Sequence, residues 1–325
     1  MKVRIYATDW PIRGSFTISR GSKTQAEVVV VELEAQGITG RGECVPYARY
    51  DESVSSVLTQ LENIIPELKG AIPTREKLQS LLPSGAARNA LDCAFWDWEC
   101  KKAGSTIWEK TGIVPQPLVT AYTLSLDTPE NMEKAAVDNA YRPLLKLKLG
   151  GAEDLARVQA VRRGAPASKI ILDANEAWTA ELYNALIPEL VKLDVAMIEQ
   201  PFPAAQDDIL STLDRPIPIC ADESCHDRAS LERLAGLYDM INIKIDKTGG
   251  LTEALALKKE AEKAGLQVMV GCMLASSLSM APAFVVAQGA DIVDLDGPLL
   301  LATDIENGFE YTTSQMLPFS ARLWG

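Results

Sequence analysis

Two hydrophobic periods divide the chain. Up to about residue 112 the pattern is mixed. An apolar stretch lies near 2–8, followed by a hairpin in which AEVVVVELEA and ITGRGEC flank a Gln36-Gly37 turn. Helical spacing follows at 52–67 and 74–82. A longer helical stretch, AARNALDCAFWDWECKKAG, then ends on Gly104 as a helix stop. Trp96, Trp98 and the cysteines of that stretch read as core filling. From about 117 short apolar segments alternate with amphipathic ones. The apolar segments are VTAYTL (119–124), LLKLKL (144–149), KIILDAN (169–175), VAMIEQP (195–201), IPICADES (217–224), MINIKID (240–246), QVMVGC (267–272) and IVDLDG (292–297). Near-continuously apolar strands are buried on both faces, and with helices between them they pair in parallel. Eight such units predict a closed (β/α)8 barrel of the TIM-barrel kind with an N-terminal α+β capping domain. The expected division is 1–112 for the cap, 113–298 for the barrel and its site, and 299–325 for a C-terminal segment packing back on the cap. A doubly wound open sheet is the competing architecture, but no G-x-G-x-x-G follows the first strand.

Each apolar segment ends in polar residues that a purely structural strand does not need. In order they are Thr123, Lys146 and Lys148, Asp173 and Asn175, Glu199, Asp222 and Glu223, Lys244 and Asp246, Cys272, then Asp294 and Asp296. From Lys148 onward they recur in steps of 22–28 residues, about one βα unit, so they share one height at the C-terminal mouth of the barrel. Side chains two apart on a strand share a face, so Lys146 and Lys148 point together, as do Asp294 and Asp296. Asp222 and Glu223 point apart, so only one is an inner-face ligand. Asp173, Glu199 and Asp222 bring three carboxylates together, which repel unless a cation lies between them. Oxygen-only ligation selects a hard ion, Mg²⁺. The competing reading makes these acids ion-pair partners of Lys148 and Lys244. Lys146/Lys148 and Lys244 stand on opposed strands of an eight-membered ring. A second ammonium and a divalent cation nearby push a lysine pKa down, as a general base at neutral pH requires.

Composition narrows the chemistry further. The 325 residues hold a single histidine, His226, so triads and metal sites that need several histidines are excluded. His226 itself reads as structural. The net charge of −12 argues against a nucleic-acid partner. No apolar run approaches a membrane span, MKVRIYATDW lacks a signal-peptide core, and the six cysteines form no C-x-x-C pair. The expected address is cytoplasmic. Cys272 has no histidine near it in sequence and reads as a pocket wall; Gly249-Gly250 reads as a helix start.

The ordered motifs KLK (146–148), LDAN, IEQP, ADES, NIKIDKTGG and DLDGP resemble those of the enolase superfamily, muconate-lactonizing subgroup, over essentially the whole chain. Within it they look most like dipeptide epimerases of the L-Ala-D/L-Glu kind. The resemblance implies an isomerase with an enolase-type barrel and cap, acting on a small dipeptide in murein peptide metabolism. It implies one Mg²⁺ per subunit, replaceable by Mn²⁺, on Asp173, Glu199 and Asp222. Lys148 and Lys244 are then the two acid/base catalysts and Lys146 assists at the substrate carboxylate. Asp294 and Asp296 hold the substrate ammonium, Thr123 and Cys272 line the pocket, and Arg20 or Lys23 in the ISRGSKT segment meets the distal carboxylate. The acidic D-x-D pair suits an ammonium and fits poorly with a purely anionic substrate. The alternatives are an o-succinylbenzoate synthase or muconate cycloisomerase on the same scaffold, or an inactive metal-binding homologue. A homo-oligomer is left open, and no membrane partner is expected.

Overall fold

The computed structural model describes residues 1–68 and 73–325. Strands β1 (Lys2–Ile18), β2 (Gly21–Ala35) and β3 (Ile38–Cys44) form an antiparallel sheet in that order. Gln36 and Gly37 take φ of 58° and 75°, the double left-handed turn of a tight hairpin. β1 runs well beyond the expected 2–8. Its end, Phe16–Ile18, pairs with Gly21–Lys23, so the ISRGSKT segment is a second hairpin tip. Helices α1 (Val54–Leu68), α2 (Arg75–Leu81) and α3 (Ala86–Ala103) cover the sheet, and Gly104 closes α3 at φ 62°. Trp96, Trp98, Cys93 and Cys100 of α3 are buried, as core filling requires.

α3 lies against β3 at the closest approach that backbone allows. A Cβ on Gly42 would sit 2.1 Å from the Ala90 carbonyl oxygen, and one on Gly40 2.2 Å from that of Ala94. Both obstacles are backbone atoms of a buried helix, so the sheet and helix must separate to admit a methyl group. Gly42→Ala is therefore expected to cost about 3 kcal/mol or more, at the upper end for overpacking. The matching drop in Tm is at least about 5 °C. A differential-scanning melt unchanged from wild type would show that this contact is not rigid.

The second sheet has eight parallel strands in chain order: β5 (Tyr122–Leu124), β6 (Leu144–Lys148), β7 (Lys169–Asp173), β8 (Val195–Glu199), β9 (Ile219–Ala221), β10 (Met240–Ile243), β11 (Gln267–Gly271) and β12 (Ile292–Asp294). The first and last meet where the Ala121 N–H donates to Val293 O at 2.8 Å and the Leu295 N–H to Thr120 Oγ1 at 2.8 Å. The outer faces, such as Leu145, Leu172, Ile198 and Ile243, pack under the helices in one large core. The inner faces give a separate ring: Ala121, Leu144, Ile171, Met197, Cys220, Met240, Met269 and Ile292. This apolar ring is the floor on which the polar residues stand, and it shows why the strands read as hydrophobic on both faces.

One strand departs from expectation. VTAYTL does not run through: β4 (Leu118–Val119) leaves the barrel and pairs antiparallel with β13 (Gln315–Met316). The C-terminal segment also touches the cap. Arg13 Nε donates to Leu301 O at 2.8 Å, Trp324 Nε1 to Arg41 O at 3.0 Å, and Arg41 Nη2 to Leu323 O at 2.7 Å. Cap and barrel share a polar seam along α3. Asn89 Nδ2 donates to Asp246 Oδ1 at 2.8 Å and Arg88 Nη2 to Thr248 O at 2.7 Å, while Asp92 accepts from the N–H and hydroxyl of Thr252. Gly249 and Gly250 stand at this seam with φ of 76° and 111°; side chains there would strike Arg88 and Asp92. They open the helix Leu251–Lys263, as expected, and they also admit the cap. Among the described residues no helix is long and apolar enough to cross a membrane.

Candidate active site

The two-residue period of the strands carries the inner ring upward into chemistry. One step above the apolar floor come Thr123, Lys146, Asp173, Glu199, Asp222, Asn242, Gly271 and Asp294, and a step higher Lys148, Lys244 and Asp296. A cavity of about 500 Å³ lies between this mouth and the cap. Lys146, Lys148, Lys244, Cys272, Asp294 and Asp296 line it from below, and Phe16, Ile18 and Arg20 from the cap side. Asp173 and Glu199 are fully buried beneath the lysines.

The buried charges pair closely. Lys146 Nζ lies 2.7 Å from Glu199 Oε2, 2.8 Å from Asp294 Oδ2 and 3.1 Å from Asp173 Oδ2. Lys148 Nζ donates to Asp173 Oδ2 at 2.5 Å and Lys244 Nζ to Asp222 Oδ2 at 2.6 Å. The ion-pair reading of the acids is therefore met, and the shared height is met as well. Burial alone would lower the Lys244 pKa, but the Asp222 and Glu199 carboxylates outweigh it and hold that ammonium well above the usual lysine range. The expected lowering takes its cause from a second ammonium and a divalent cation; the carboxylates nearest to Lys244 pull the other way. Burial raises Glu199, and the neighbouring Asp173 raises it further. Asp222 is held well below the carboxylate range, its burial overcome by Lys244 and Lys247.

The acids suit a hard cation by chemistry, being three oxygen donors on adjacent strands with no nitrogen or sulfur among them. Among the described residues no three such side chains already encircle a common point. The ammonium groups hold the positions between them. Glu199 Oε2 has the Lys146 ammonium 2.7 Å away as its one polar partner. A fully buried carboxylate oxygen whose one partner is a positive charge fits a cation ligand.

The remaining expected residues are placed as follows. The Thr123 N–H donates to Asp296 Oδ2 at 2.6 Å. Burial and the charge of Asp294 push Asp296 up to about 7. Asp294 Oδ1 has no donor. Burial, with Asp294 and Asp296 nearby, raises the Cys272 thiol, which suits a wall rather than a nucleophile. Burial and Lys247 lower the pKa of His226, which packs edge-on against Tyr50. Arg20 reaches the cavity but is engaged. Its guanidinium donates to Glu223 Oε1 at 2.8 Å, Asn175 O at 3.1 Å and Tyr47 OH at 3.1 Å. Glu223 thus faces the cap while Asp222 faces inward, the divergence expected of neighbours. Lys23 also lines the cavity, in an exposed position.

Three residues were missed in the sequence. Lys247, wholly buried, donates to Asp222 Oδ1 at 2.6 Å, Asp222 O at 2.5 Å and Asn242 O at 3.0 Å. Gln200, at φ 38°, accepts from the N–H groups of Asp222 and Ser224 and so fixes the end of β9. Asn242 donates to Glu199 Oε1 at 2.7 Å. The parity that pairs Lys146 with Lys148 also pairs Asn242 with Lys244, and could have found it.

Comparison with known proteins places this geometry. Residues 1–112 match the family model of the mandelate racemase / muconate lactonizing enzyme N-terminal domain, and residues 129–305 that of the enolase C-terminal domain-like family. The chain is similar to the L-Ala-D/L-Glu epimerase of Escherichia coli (strain K12), at 46% identity over 97% of this chain and 98% of the relative. It is similar to the N-acetyl-D-glutamate racemase of a Pseudoalteromonas species, at 43% identity over 92% and 95%. Among solved structures, an Agrobacterium tumefaciens enolase family member with homology to dipeptide epimerases superposes with a TM-score of 0.96. The two share 48% identity over 99% of each chain, and that crystal holds sodium and L-Ala-L-Glu.

Proposed function

The chain belongs to the enolase superfamily, in its mandelate racemase and muconate lactonizing branch, and from that premise we propose that it is a Mg²⁺-dependent dipeptide epimerase of the L-Ala-D/L-Glu type. One observation carries the reading. Lys148 and Lys244 rise from β6 and β10, four strands apart in a ring of eight, with the three acids between them and Asp294/Asp296 on the closing strand.

Asp173, Glu199 and Asp222 would hold the cation, which when bound supplies Lewis-acid stabilisation of charge developing on the substrate carboxylate. Everything else is done by side chains of this chain. One of Lys148 and Lys244, as a neutral amine, takes the α-proton from one face of the C-terminal residue. The other, as an ammonium, returns a proton to the opposite face, and the centre inverts without a redox cofactor. For Lys244 to act, its ammonium must leave Asp222; Lys247 keeps that carboxylate in place when it does. Lys146 stays as a buried positive charge beside the reacting carboxylate. The orphaned Asp294 Oδ1 and the Asp296 carboxyl accept from the substrate ammonium. Arg20 meets the distal carboxylate, in exchange for part of its contact with Glu223.

A second reading is an N-acylamino acid racemase. The relative at 43% identity is one, and Asp294 already has a cation in Lys146, so the pair does not by itself demand an ammonium. Asp296→Asn separates the two. A lost charge-assisted hydrogen bond is worth about 1.5–3 kcal/mol, so kcat/KM for free L-Ala-L-Glu should fall roughly 10- to 100-fold. The N-acetylated dipeptide should change far less. Equal losses would transfer the assignment to N-acylamino acids.

A further inference from the structure

Seven of the eight positions in the polar inner ring carry a side chain, and the eighth is Gly271 on β11. The gap is filled from the neighbouring strand. A Cβ on Gly271 would sit 2.7 Å from Asn242 Oδ1 and 2.8 Å from Asn242 Nδ2. The Asn242 amide therefore occupies the space that a larger residue on β11 would take. It is wholly buried, its Nδ2 donates to Glu199 Oε1 at 2.7 Å, and its Oδ1 has no partner. β9 lies between these two residues in the sheet, so the bond spans the inside of the barrel.

We propose that Asn242, seated in the space left by Gly271, is the positioning residue that orients Glu199 for the cation. It rests on the reading of Asp173, Glu199 and Asp222 as ligands. The argument is one of geometry and chemistry. A ligating carboxylate has four lone-pair directions, and a donor fixed on one oxygen decides where the other oxygen points. Asn242 occupies Oε1, which leaves Oε2, whose one polar partner is the Lys146 ammonium 2.7 Å away, to face the other acids. An amide does this without charge, so it orients the ligand and does not compete with the cation as a fifth ammonium would. The arrangement also accounts for an otherwise costly feature, a wholly buried amide oxygen with no donor, since the amide is fixed by its bond to Glu199.

The test is Mg²⁺ binding to the full chain by isothermal titration calorimetry, with thermal unfolding of each variant recorded without metal. Wild type and Glu199→Gln examine the underlying reading. A wild type that binds no Mg²⁺, or a Glu199→Gln variant with unchanged affinity, overturns that reading and the proposal with it. Given a wild type that binds, Asn242→Leu, similar in size and unable to donate, is expected to raise the Kd roughly 10- to 100-fold, the usual effect of losing a partner behind a metal ligand. A Kd within threefold of wild type, with or without a lowered Tm, overturns the proposal, because a merely structural amide changes the melt alone. Where Asn242→Leu does not unfold cooperatively, Gly271→Ala decides. It keeps the amide but displaces it, and it too should weaken Mg²⁺ about tenfold; unchanged affinity there overturns the proposal equally.

Discussion

Lys244→Ala should abolish epimerisation in both directions while leaving half of the chemistry intact. Every turnover needs one lysine to remove a proton and the other to return one, so the loss should be at least about 10³-fold, within the range of a lost general acid or base. Lys148 survives on its own face and can remove and replace a proton there. By family resemblance that face belongs to the (R) centre, so the variant should still exchange the α-hydrogen of the (R) epimer with D₂O. Lys148→Ala should show the mirror behaviour with the (S) epimer. The structure says why neither change should collapse the site. Asp222 keeps the double anchorage of Lys247 to its carboxylate and carbonyl, and Asp173 keeps Lys146 at 3.1 Å and the Asn175 N–H at 3.0 Å. Mass spectrometry in D₂O at saturating dipeptide reads both outcomes. A variant that epimerises near the wild-type rate would remove that lysine from the pair of bases.

Exhaustive chelation is expected to reduce activity below about 1%, and added Mg²⁺ or Mn²⁺ to restore it, since the candidate ligands offer only oxygen. Two further readouts belong to the same experiment. Mg²⁺ at about 100 times its Kd should stabilise the fold by roughly 2.7 kcal/mol through binding the native state alone. Glu199→Gln should lose most of that stabilisation. Full activity after chelation, with no effect of Mg²⁺ on the melt, would dismiss the ligand role of Asp173, Glu199 and Asp222.

The barrel and the height of its chemistry were legible because both follow from local periods. Eight apolar runs spaced by helices give the strands, and a two-residue repeat puts Asp173, Glu199 and Asp222 on one ring. The same repeat separated Asp222 from Glu223, which the structure turns toward Arg20. The Gln36-Gly37 hairpin and the Gly104 helix stop were legible for the same reason, since each depends on the φ of one or two residues.

What the sequence alone could not determine lies between elements far apart in the chain. Local pattern gave VTAYTL as one strand, yet Leu118–Val119 pairs with Gln315–Met316, nearly two hundred residues later. It gave Lys244 positive neighbours that lower its pKa, but not the Asp222 carboxylate that barrel closure sets 2.6 Å from its ammonium and that pulls the other way. Arg20 was legible as a charge near the cavity, but its barrel partners come from the loops after β9 and β7. Asn242 and Gly271 complete each other only once β10 and β11 lie side by side. Periodicity fixes the face and height of a side chain, which are properties of a single strand. The charge and the space that the side chain then meets are set by closure, because electrostatic energy and packing depend on distances of a few ångströms across the barrel.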